Sequence, residues 1–145
     1  MAEKTLEKGF SKEEREAMKA RAAELRTAGK SGTKKAQAER QALLDVIDGM
    51  PDDEKAIVTR VHEIVGELAP DLLPKTWYGM PAWARDGKVD VFVKHASKFT
   101  MRCTEVGFTE DAHLDDGAMW PTVFAVTEMN PTVEKQLVDL VGRIS

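Results

Sequence analysis

The sequence predicts an α+β domain: a small, mainly antiparallel, curved sheet packed by helices, with an N-terminal helical extension. Three observations lead there. Apolar residues recur at helical spacing between residues 53 and 68. After Pro74 the period changes to two, the period of a half-buried strand. A helical stripe then returns behind Asn130-Pro131. At 145 residues the chain is sized for one domain plus an extension, and the division falls at residues 1–49 and 50–145.

In chain order, residues 11–28 read as a helix. Ser11 followed by Glu14 forms a capping box, and Ala, Glu, Lys and Arg fill the interior. Its apolar face is thin (Met18, Ala22 and Leu25), so the helix must dock or fray. Gly29 is a C-terminal stop, and Gly29 to Lys35 is a joint. Gly29-Lys30-Ser31 is similar to the tail of a phosphate loop, but a helix and not a strand precedes it, and Glu24 stands where the first loop glycine belongs. A second helix is expected from Thr33 to Asp48, broken by Gly49-Met50-Pro51. The third has the clearest stripe: Ile57, Val58, Val61, Ile64, Val65 and Leu68, with Asp52 or Asp53 as the cap and Ala69-Pro70 as the end. His62 lies beside that stripe with no second ligand at i+4, where Gly66 stands.

The strands follow. Lys75 to Tyr78 is the first, and Trp83 to Arg85 the second, with Gly79 and Pro81 shaping a bend between them. Asp86-Gly87 is a two-residue hairpin turn, since both central positions of a type I′ turn need positive φ. In the returning strand Val89, Val91 and Val93 face one way, and Lys88, Asp90, Phe92 and Lys94 the other. Lys98 to Thr104 reads as another strand, with Phe99, Met101 and Cys103 on its packed face. Residues 105–118 form an acid-rich loop, and Met119 to Thr127 a last strand that Pro121 pushes to an edge. The final helix opens with Asn130 as cap and Pro131 at its first position, and buries Val133, Leu137, Leu140, Val141 and Ile144.

Composition narrows the function classes. Cys103 is the only cysteine, which excludes an intramolecular disulfide and a cysteine-based zinc site and fits a reducing, cytoplasmic setting. The N-terminus begins with charges and lacks the apolar run of a signal peptide, and no run approaches the ~18 apolar residues of a membrane span. Residues 1–40 carry eleven Lys/Arg against seven Glu, whereas the rest carries ten against eighteen Asp/Glu. A basic arm on an acidic body permits nucleic-acid contact, although its charges alternate in sign and lack interleaved aromatics. Catalysis has little support: there is no nucleophile elbow, no cysteine near a histidine and no metalloprotease pair.

The stretch Trp77-Tyr78-Gly79-Met80-Pro81-Ala82-Trp83 concentrates two of the three Trp and the sole Tyr. Together with Ala69-Pro70-Asp71, the Asp86-Gly87 hairpin, Val91-Phe92-Val93-Lys94 and Lys98-Phe99, it resembles the YdhG-like family of domains of unknown function. The resemblance covers residues ~50–145, with Asp115 to Pro121 similar to a variant of the family's last strand, and it leaves 1–49 as an extension. It implies an α+β domain. Some relatives are described as frataxin-like iron chaperones, which makes iron a possible cargo, and the resemblance carries over no catalytic residues.

Two candidate sites result. A ligand or partner surface on the sheet would use Trp77, Tyr78, Met80, Trp83, Phe92 and Trp120, with Arg85, Lys94 and Arg102 as polar groups that orient a small molecule or a protein partner. The same aromatics could instead be packing alone. A hard cation such as Fe²⁺ would take Glu110, Asp111, His113, Asp115 and Asp116, although their spacing matches no fixed ligand geometry, the EF-hand's included.

Overall fold

Two tight hairpins start the sheet. In the computed structural model, which describes residues 11–28 and 32–144 (of 25–28 the backbone only), Trp77 pairs with Met80, and Arg85 with Lys88. Each hairpin therefore turns on two residues. Asp86 and Gly87 have φ of 51° and 80°, the positive pair the Asp-Gly signal requires. Tyr78 and Gly79 have φ of 54° and 80°, so the same kind of turn stands where the sequence predicts a longer bend through Pro81. Pro81 instead lies in a strand, opposite Thr76. Pairing on its other side starts only at Ala82, so its missing N–H interrupts no ladder there.

The chain is α+β. Helices α1 (Lys12–Ala28), α2 (Gly32–Asp48) and α3 (Asp52–Leu68) precede strands β1 (Leu73–Trp77), β2 (Met80–Arg85) and β3 (Lys88–Lys94). A helical turn, α4 (Ala96–Phe99), leads to β4 (Thr104–Phe108), a 3₁₀ turn at Glu110–Ala112, β5 (Val123–Val126) and α5 (Pro131–Gly142). The five strands form one open antiparallel sheet in sequence order.

Two helix starts follow local chemistry. Ser11 Oγ accepts from the Glu14 amide at 3.1 Å, and Asn130 Oδ1 from the Val133 amide at 2.9 Å. Helix α3 starts at Asp52 behind Pro51 and has no side-chain cap, so Asp52 and Asp53 lie inside its first turn, where acids favour the dipole. The expected stop at Gly29 and the Leu25 side chain lie outside the described residues, and Gly32 to Lys35, expected in the joint, already belong to α2.

One face of the sheet is closed by α3 and α5. Ile57, Val58, Val61, Ile64 and Val65 pack with Trp83, Val91, Val93, Val106 and Phe108, and with Leu137, Leu140 and Val141 of α5. Each such aliphatic side chain contributes roughly 1.5–3 kcal/mol by leaving water. Arg60 ties the two helices together through Glu134 at 2.5 Å. Helix α2 runs along β1, and its C-terminal half enters the same core through Leu43, Ile47 and the following Met50.

Four expectations about the strands change. A bulge between β2 and β3 sets Trp83 opposite Val91 but Ala84 opposite Val89, so Asp90 is the extra residue. Val89 therefore joins Ala82 and Ala84 on the opposite face from Val91 and Val93. Second, Lys98 to Thr104 is no strand. Thr104 Oγ1 accepts from the Ala96 amide at 3.1 Å and Glu54 Oε1 from the Ser97 amide at 3.2 Å, which start a helical turn that Thr100 ends at φ 53°. Third, β4 occupies residues expected to be loop, with Val106, Gly107 and Phe108 buried, while Cys103 is only half-buried ahead of it. The last strand is shorter than expected, at Val123–Val126, and lies at the sheet edge.

Leu43 is fully buried in the shared core, so Leu43→Ala is expected to lower stability by about 2–5 kcal/mol. In urea unfolding the loss should occur in one transition followed equally by helix and tryptophan signals. An unchanged midpoint would mean that α2 adds nothing to the domain's stability.

Candidate functional site

The second face of the sheet is only partly covered. Register places Lys75, Ala82, Phe92, Gly107 and Val123 in one row across it, with Trp77, Met80, Lys94, Glu105 and Ala125 beside them. Small residues form the floor. Phe92 lies over Gly107: a Cβ built there would sit 2.1 Å from its Cζ. Trp77 meets Phe92 edge-on with centroids 5.5 Å apart, and Tyr78 meets Trp77 the same way at 5.5 Å. Trp77 and Phe92 are half-buried, and Tyr78 is exposed.

The predicted aromatic site thus divides. Trp77, Tyr78, Met80, Phe92 and Lys94 share this face or its hairpin tip, with Met80 buried in the floor. Trp83 belongs to the other face. It is 1% exposed, and its indole N–H donates to Nδ1 of His62 at 3.1 Å, which accounts for both polar groups. Burial holds His62 below its ordinary pKa, with Arg40 adding to the effect. Arg85 lies near Asp90 on the helix side of the sheet, and Arg102 is exposed between α4 and β4. Trp120 stands apart, lining a cavity of about 560 Å³ with Glu110, Asp111, His113 and Asp115. Other cavities, of about 180, 250 and 440 Å³, lie at α1–β1, at α2–β1 and at β5–α5. Trp77 and Phe92 line none of these four.

The acidic segment gathers around the Trp120 cavity without Asp116. Among the described residues no three His, Cys, Asp or Glu side chains come together as a metal would require. Asp90, at the bulge and 2% exposed, is held above its ordinary pKa by burial, opposed by Arg85 and reinforced by Asp111.

Sequence reasoning missed the contacts at the Tyr78-Gly79 tip. Glu24 of α1 accepts from the Tyr78 amide at 2.9 Å through one carboxylate oxygen and from the Gly79 amide at 3.1 Å through the other. Arg21 stands 3.7 Å from Glu24 and places its guanidinium 5.2 Å from the centre of the Tyr78 ring. Glu13 accepts from Thr100 Oγ1 at 2.8 Å. No local signal marks these pairs, because 54 and 55 residues separate Glu24 from its two donors.

No family model, curated protein or solved structure matches this chain. Among the described residues no helix is long and apolar enough to cross a membrane.

A buried polar group lies at the far end of β3. His95 is 4% exposed, its Nδ1 has no hydrogen-bond partner among the described residues, and its ring meets Phe99 edge-on. Burial pulls its pKa down to about 4, Glu54 opposes this, and Lys98 reinforces it.

Two outcomes follow from these arrangements. The unfolded chain protonates His95 near the ordinary histidine value of 6.5 and the folded chain near 4, so its stabilising contribution is complete above pH 6.5 and is lost as pH falls through that window, by roughly 3 kcal/mol in all. His95→Gln should flatten the stability–pH curve there in denaturant titrations; an unchanged slope would refute the assignment. Gly107→Ala must push the Phe92 ring aside, and we expect a loss of about 1–3 kcal/mol with shifted Phe92 ring resonances. Unmoved resonances would show that the ring does not rest on Gly107.

Proposed function

We propose that the chain is a binding domain that takes an apolar side chain of a protein partner on the Trp77–Phe92 face. The observation that carries this reading is an edge-to-face aromatic pair left half-exposed on a floor of Ala82 and Gly107. Rigid, half-exposed aromatics outside the cavities described above suit a protein contact, where Trp, Tyr and Phe are enriched. Val123, at 48% exposure, continues the apolar row toward β5. Lys94 and Glu105, paired across β3 and β4, border it with opposite charges that can orient a partner.

The YdhG-like resemblance rests on the Trp77–Trp83 segment and the hairpins around it, and it is compatible with a binding role. The iron-carrier reading would require carboxylates that converge, and the acidic segment offers no such set among the described residues. The nucleic-acid reading has less support: the arm's charges alternate in sign, and one of its cations, Arg21, is engaged with Glu24 and Tyr78.

The test uses N-acetyl-phenylalaninamide, an uncharged peptide-like probe. Saturable changes are expected at the Trp77 indole and the Phe92 ring in the millimolar range typical of one side chain, weakened about tenfold or more in Trp77→Ala and Phe92→Ala. Binding that these substitutions leave unchanged, or shifts confined to Trp83 and Trp120, would overturn the proposal.

A further inference from the structure

We propose that the Tyr78–Gly79 amide pair, with Lys98 beside it, is a carboxylate-binding site, and that Glu24 of α1 fills it in place of an acidic group on the partner. The inference rests on the partner-binding reading of the adjacent aromatic face.

The site has the parts that carboxylate recognition needs. Two successive amides, freed from the ladder by the turn, meet the two oxygens of one carboxylate at 2.9 and 3.1 Å. The Glu24 side chain is 8% exposed, so the carboxylate is held out of water. Gly79 leaves room for a cation: a Cβ there would lie 2.6 Å from Cε and 3.3 Å from Nζ of Lys98. A chain of contacts then leads from the site onto the proposed surface, from Arg21 over the Tyr78 ring and edge-on to Trp77 and Phe92. A ligand with a carboxylate next to an apolar group would span both.

The turn itself gives a second, independent argument. Asp86-Gly87 makes the same turn with the residue such turns favour, and nothing lies within 4 Å of a Cβ at Gly87. Tyr78 adopts φ 54° despite its bulk, a conformation that disfavours residues other than Gly, Asn and Asp. Its ring is exposed and does not fill the core, so packing in the core does not explain the strained choice.

Helix α1 is suited to being displaced. Ala17 is its only buried apolar residue among those described, and Met18 points outward at 50% exposure. Polar contacts of Glu13, Arg21 and Glu24 add to this thin packing, and a ligand carboxylate can replace that of Glu24 at the two amides.

The experiment uses the full chain and two matched probes, N-acetyl-phenylalanine and its uncharged amide, read by the backbone amides of Tyr78 and Gly79. In Glu24→Ala the acid is expected to bind about tenfold tighter than in wild type, and the amide to change less than about threefold. Adding Lys98→Ala should remove the acid's advantage. Arg21→Ala, which loosens α1 and leaves Glu24 in place, should move acid binding the same way by a smaller factor; it serves as the readout if Glu24→Ala does not fold. Equal binding of acid and amide to Glu24→Ala would overturn the carboxylate site while leaving the aromatic surface standing. Binding of neither probe would overturn both.

Discussion

The bulge at Asp90 sets the arrangement of the whole sheet. A strand alternates its side chains with period two, so one extra residue exchanges the faces of everything on one side of it. Beyond the bulge Val91 and Val93 join Trp83 under α3, while Phe92 emerges on the other side. Before it Val89 lies on Phe92's side, with Ala82 and Ala84. The Asp90 carbonyl accepts from the Thr109 amide at 3.0 Å, and Thr109 Oγ1 donates to the Val89 carbonyl, so the same irregularity fixes the start of the acidic segment. One inserted residue therefore allows a complete core on one face and an aromatic surface on the other.

That division explains why the aromatic segment serves two purposes. Trp83 and Trp77 are six residues apart across a two-residue turn, yet they lie on opposite faces. Trp83 is satisfied in every respect, buried among valines and bonded to His62. Trp77 rests on small residues with part of its ring in water. The two rings have different neighbours, and of the two only Trp77 keeps part of its surface in water.

Much of the fold is legible in the sequence where a local signal and the tertiary outcome agree. The stripe of α3, the Asp86-Gly87 turn and the Asn130-Pro131 start of α5 are cases of this kind. Legibility fails where distant groups decide. Glu54 and Thr104 impose a helical turn on a segment whose alternation reads as strand, and Tyr78 enters a turn for which its residue type gives no sign. The bulge leaves no mark in the pattern, because Val89 is apolar on either face. In the candidate site, Trp77 and Phe92 stand out by residue type and spacing. Arg21 and Glu24 do not, since on a polar helix they look like one more i,i+3 pair.

The strand order has a consequence for how the chain reaches this state. Every ladder joins strands that are consecutive in sequence, so the sheet needs no long crossover, a low-contact-order arrangement of the kind that favours fast folding. Contacts of long sequence separation are made by the helices: α5 meets α3, and α1 meets the first hairpin. Among the described residues α1 buries one apolar side chain, Ala17, so it is expected to be among the first elements to detach in a local opening of the native state.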